Sequence, residues 1–99
     1  MNFEEQEETI LQEAERIIGG DRAQDYGDIT ESTQRIASMW STILGVDVTP
    51  RQVLLCMVGL KISREVNKHK RDNLVDIAGY VRLLEKLEAL DEDEEEFHG

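Results

Sequence analysis

The amino-acid sequence predicts an all-α domain, and three observations carry that prediction. Apolar residues recur at intervals of three and four through four segments, no segment alternates with the period of two that a strand needs, and every break between segments coincides with glycines or a short polar run. An antiparallel four-helix bundle with an acidic disordered tail follows. Residues 1–90 read as one helical domain and residues 91–99 as the tail. A chain of 99 residues has one core and buries only a modest part of its unfolded surface, so a dimer or larger oligomer is expected.

In the first segment Ile10, Leu11, Ala14, Ile17 and Ile18 make one apolar stripe, which predicts a helix over about residues 4–18, with Gly19 and Gly20 as a left-handed stop. The second helix begins at "DITE", where Asp28 caps the free amides and Glu31 reaches back. Ile36, Met39, Trp40, Ile43 and Leu44 then form its buried face, and Gly45 ends it. "TPRQ", residues 49–52, starts the third helix with Thr49 as cap, Pro50 at the first helical position and Gln52 closing the box. This helix is apolar nearly all round from Val53 to Leu60, which predicts the most buried element and a buried Cys56 thiol; further on, Ile62 and Val66 keep one face buried. After the polar link "KHKR", Leu74, Ile77, Ala78, Val81, Leu84 and Leu87 make the core stripe of the fourth helix.

The formal net charge of -11 is unevenly spread. Residues 1–15 hold six acidic and no basic side chains and residues 91–96 hold six more acids, leaving ten acidic and eleven basic side chains in the body of the domain. That balance leaves room for a phosphate-bearing ligand, whereas nucleic acid is not expected as a partner. The N-terminus lacks the basic and apolar pattern of a secretory signal, and the longest apolar run is too short to span a bilayer. No membrane association is expected, and a cytoplasmic location follows.

With so short a link, the third and fourth helices must run antiparallel, and pairing them about the turn places Glu65 near Asp76 and Lys61 near Tyr80. Charged faces therefore meet. Asp72 and Asp76, one turn apart with Glu65 opposite, have the oxygen chemistry to hold Mg2+, which in turn binds a diphosphate or triphosphate. Lys61 and Arg64 are placed to touch phosphate directly. The alternative is that they pair with Asp72 and Asp76 to fix helix register without chemistry. His69 lacks a second histidine or cysteine nearby and reads as a turn residue. The loop "GGDRAQDYGD", residues 19–28, offers Tyr26 for stacking on a base, Gly27 for close backbone approach, and Arg22 and Asp25 for polar contacts. Read plainly, the same loop is a helix connection.

"RDNLVDIAGYVRLL", residues 71–84, resembles the metal-binding helix of the MazG-type all-helical nucleotide pyrophosphohydrolases. There a pair of acidic residues is followed, three positions after the second, by an aspartate and an apolar run. Asp76 matches that aspartate and Asp72 the first acid, while Asn73 stands where the second carboxylate is expected. The preceding helix of that family carries E-E-x-x-E, whereas this chain has "KISRE", which keeps only Glu65. The whole pattern, with Y-G, K-x-x-R and D-x-x-x-D in order over roughly residues 10–87, is similar to small uncharacterised bacteriophage domains and to phage domains associated with nucleotide modification.

Three functions follow from these residues and resemblances. The favoured one is a nucleotide or cyclic-nucleotide binding protein of phage type that sequesters a nucleotide signal against host defence, using Arg22, Asp25, Tyr26, Gly27, Lys61, Arg64 and Tyr80. The second is a Mg2+-dependent pyrophosphohydrolase with Glu65, Asp72 and Asp76 as ligands, against which the non-acidic Lys61 and Asn73 count. The third is an acidic inhibitor that blocks another protein. Enzyme activity is left open, and no catalytic residue is assigned.

Overall fold

The computed structural model describes residues 8–21 and 29–98, with side chains described for 8–20 and 31–90. These residues form four α-helices and no strand, so the all-α class holds. α1 is Ile10–Arg16, followed without a break by a π-helical turn, Ile17–Asp21. α2 is Ile29–Leu44, α3 is Pro50–Asn67 and α4 is Arg71–His98.

The ends of these helices follow from local chemistry. α1 begins at a capping box: the Gln12 N–H donates to the Thr9 hydroxyl at 3.1 Å, and the Gln12 side chain accepts from the Thr9 N–H at 2.9 Å. Thr9 is extended, so the first helix starts behind it rather than near residue 4. At its other end the glycine pair does not stop the chain in the left-handed region. Among the described residues only Gly45 has a positive φ, 72°, and Gly19 and Gly20 instead lie within the wide π turn. Gly45 ends α2 as expected. The Ser41 hydroxyl then accepts the Val48 N–H at 2.8 Å and ties down the link to the predicted Thr49–Gln52 box, which is present in full.

α4 runs on as helical backbone to His98, which corrects the disordered tail. Between Gly79 and Gly99 the chain contains no glycine or proline and is rich in Leu and Glu, so nothing local ends the helix.

The packing departs further from the expected antiparallel bundle. α3 and α4 form the most extensive contact, α1 and its π turn lie on α4, and α2 lies on α3. Glu8 and Glu15 approach Arg71 and Arg82 in the same chain order, so α1 runs parallel to α4. Short links enforce antiparallel neighbours for α2–α3 and α3–α4, but the longer segment between α1 and α2 imposes no such direction. Gly79 gives α1 its seat: a Cβ there would lie 3.3 Å from the Ile18 Cδ1.

The core is made of small and branched residues, Ala14, Ala37, Val53, Leu54, Val75 and Leu83. Several stripes assigned to it face outward instead. On α2, Thr33 and Ala37 are buried while Met39, Ile43 and Leu44 are exposed. On α3, Leu55, Leu60, Ile62, Val66 and the Cys56 thiol are exposed, and on α4 Val75 and Leu83 are buried rather than Val81. Each helix has apolar residues on more than one side, and the small ones let neighbouring backbones approach. Among the described residues, no helix is long and apolar enough to cross a membrane.

The caps yield a direct expectation. Thr49→Ala should cost about 1 kcal/mol by removing the α3 cap, and Gly45→Ala about 1–2 kcal/mol by forcing a side chain into the left-handed region. Denaturant titration measures both; an unchanged midpoint in either variant contradicts the corresponding end structure.

Candidate functional site

The α3–α4 turn is closed by one carboxylate. One Glu65 oxygen accepts the Lys70 backbone N–H at 3.0 Å and the Asn73 side-chain amide at 3.1 Å, and the other meets His69 Nδ1. The Asn73 amide also reaches the Lys68 carbonyl at 3.4 Å, and its own backbone N–H donates to the Lys70 carbonyl at 3.0 Å. The hydrogen bond from His69, then those from the Lys70 N–H and Asn73, hold the Glu65 carboxyl down at about 2. Asn73 is buried, so its amide is a fixed part of the turn.

One turn further from the link, Lys61 Nζ lies 2.9 Å from Asp76 Oδ2, with the two side chains 15% and 20% exposed. The register is therefore one turn tighter than the sequence reading, which set Glu65 by Asp76 and Lys61 by Tyr80. The reason is the link: Arg71 already belongs to α4, so the chain folds back about Lys68–Lys70 rather than about the whole "KHKR" run.

The remaining site residues are dispersed. Arg64 is exposed and makes no ion pair with a described residue; Asp72 is exposed in the first turn of α4; Tyr80 is half-buried. Arg22, Asp25, Tyr26 and Gly27, with Asp28, lie outside the described residues. Glu65 and Asp76 are each engaged by protein donors, and among the described residues no three His, Cys, Asp or Glu side chains converge as a metal site.

Sequence reasoning missed Asn73 as a donor, because it was weighed only as a lost acid. It also missed Arg71 and Arg82, which fasten α1 to α4. Arg71 donates to the Glu8 carbonyl at 2.8 Å and lies 3.8 Å from Glu13, and Arg82 meets Glu15 at 3.0 Å. The signal was available as an acidic first helix and a fourth helix with arginines eleven positions apart.

Comparison with known proteins places this geometry in a family. Residues 9–88 match the model of a domain of unknown function, DUF6378. The match begins at the Thr9 cap, and the Glu65–Asn73 register carried along α3 sets Pro50 opposite Glu88, where the match ends. The chain is 50% identical over 88 residues to the Gene 55 protein of Mycobacterium phage L5, a stretch that is 87% of this chain and 56% of that protein. It is 35% identical over 81 residues to the Gene 55 protein of Mycobacterium phage D29, covering 81% of this chain and 54% of the relative. The chain thus spans little more than half the length of these relatives. The expected kinship with phage domains is met. No solved structure matches.

Two outcomes follow from the turn. Because the folded Glu65 pKa lies below its ordinary value of 4.5, its contribution to stability is complete above that value and is lost as pH falls from about 4.5 toward 2. The stability difference between wild type and Glu65→Gln, followed by denaturation against pH, should shrink over that window; a constant difference would contradict the turn. Asn73→Asp sets a carboxylate against Glu65 and removes a buried donor, and should cost about 1–3 kcal/mol at neutral pH. Equal or greater stability in that variant would contradict the donor role of Asn73.

Proposed function

The chain belongs to the DUF6378 family, and from that premise we propose that it binds a phosphate-bearing nucleotide or cyclic nucleotide without turning it over. The observation that carries this reading is Arg64, exposed and without an ion pair to a described residue, three positions after the Lys61 that pairs with Asp76. An exposed guanidinium is a bidentate phosphate donor, and a helix start such as that of α2 presents free amides and the positive end of its dipole. Lys61 and Tyr80 flank Asp76 on the hairpin, one through the ion pair and the other a turn further along α4. "DYGD" leads directly into the same helix start, so Tyr26 is available in sequence for stacking on a base. Sequestration of a nucleotide signal for a phage needs only such a site.

Hydrolysis of the MazG type is less well supported. Mg2+ held by Glu65, Asp72 and Asp76 would have to displace Lys61 from Asp76 and the turn donors from Glu65. That exchange costs the interactions that set the hairpin. A second non-enzymatic reading, blockage of another protein, is favoured by the exposed Met39 and Ile43 on α2 and by the acidic C-terminal stretch of α4.

A thermal-shift screen of nucleotides and cyclic nucleotides, with and without Mg2+, tests the proposal. At least one nucleotide should raise the melting temperature without Mg2+. Arg64→Ala should weaken that ligand by about tenfold or more and flatten its salt dependence, since a charge-assisted contact is worth roughly 1.5–3 kcal/mol. Tyr26→Ala should lower affinity while keeping the salt dependence. No shift with any nucleotide, or full affinity in a folded Arg64→Ala protein, overturns the reading. Pyrophosphate release with Mg2+ above a buffer control favours the enzyme.

A further inference from the structure

Among the described residues, the α3–α4 hairpin is covered on one side only. α4 meets α1 through Arg71, Gly79 and Arg82, and meets α3 through Asn73 and Asp76. Its remaining third carries Leu74, Ile77 and Val81, of which Val81 is 53% exposed. α3 turns Lys61 and Glu65 to α4 and buries Val53 and Leu54, which leaves Leu55, Gly59, Ile62 and Val66 open. Those four residues recur at intervals of four, three and four, the spacing of a helix-pairing seam. Leu55, Ile62 and Val66 are 48%, 49% and 82% exposed, and Gly59 has nothing within 4 Å of its Cβ position. At about 100° per residue, these positions and the open stripe of α4 fall on one side of the hairpin, with α1 and α2 on the other. Two adjacent helices thus present one continuous apolar face, unlike the single outer stripe of α2.

We infer that the same face of a second copy of this chain covers it, in an antiparallel arrangement that completes a four-helix core from two hairpins. Charge selects both the occupant and the orientation. At the turn end of the hairpin Arg64, Lys68 and Lys70 are exposed and make no ion pair with a described residue. At the other end α4 carries the exposed Glu88 and continues as helix through six acidic residues at 91–96. Its 28 residues extend for about 42 Å. A two-fold axis perpendicular to the helices sets the basic turn of each copy beside the acidic end of the other. An axis parallel to the helices would stack like charges at both ends. A chain with both signs at opposite ends of one apolar face complements itself, and a symmetric interface uses each contact twice.

Sedimentation of the full chain at tens of micromolar tests this directly. A mass of twice 11.3 kDa is expected. Val66→Glu combined with Leu55→Glu should sediment as a monomer while retaining its helical circular dichroism, because both residues are already exposed in one copy. Ile43→Glu, on the outer side of α2, should leave the dimer intact. The Lys68→Glu, Lys70→Glu pair should raise the dimer dissociation constant at least tenfold at low salt, and added salt should weaken the wild-type dimer. A monomeric wild type, or a dimer that survives Val66→Glu with Leu55→Glu, overturns the face. Tighter association of the lysine variant overturns the orientation.

Discussion

Glu65 joins the two helices on which everything else is mounted. Its carboxylate takes the place of the backbone acceptors that a three-residue turn cannot supply, and it gathers a ring nitrogen, a backbone N–H and a side-chain amide from the returning strand of chain. Once those donors converge, the register of α3 against α4 is fixed, and Lys61 falls on Asp76. A half-buried ion pair of this kind adds little net stability against an apolar substitute, but leaving either partner alone is costly. The two contacts together thus discriminate strongly against a slipped hairpin. The exposed faces of α3 and α4 inherit their composition from that register.

The turn also sets what its acidic side chains can do. An asparagine has the same outline as the carboxylate expected at that position, but it donates where the acid accepts. In this chain Asn73 is bonded to Glu65, so the carboxylate is held by a protein donor. Lys61 does the same for Asp76. These pairs act as a fastening of the hairpin, and Arg64 is exposed next to Glu65 in the chain.

Much of the architecture was legible in the residues. The Thr49–Pro50–Gln52 start and the Gly45 stop are short-range devices whose chemistry is complete within a few positions, and both occur as read. The identity of the facing helices was legible because a short link leaves them no other direction. What failed required long-range information. Periodicity located α2 and α3 but did not choose among their sides, since Met39 and Ile43 satisfy a stripe as well as Thr33 and Ala37 do. Only a neighbour's shape selects the small residues. The parallel course of α1 rests on Gly79 and on arginines whose partners lie more than sixty positions away. The end of α4 was misread because a run of acids suggests disorder by composition, whereas local helix propensity has nothing to oppose it before Gly99. Residues 22–28 lie outside the described residues, and their part in any site is read from sequence alone.

The attachment of α1 has a consequence for how the molecule opens. This short helix is held to α4 by the buried Ala14, by Ile18 seated over Gly79, by the Arg71 bond to the Glu8 carbonyl, and by ion pairs that lie in solvent and are worth little each. The hairpin beneath it is closed by its own turn and owes α1 none of its internal bonds. α1 and the π turn can therefore lift away as a unit while α3 and α4 stay paired, a subglobal opening with a free energy well below that of complete unfolding. Such a seam would lend the chain a hinged flap at little cost to the rest of its architecture.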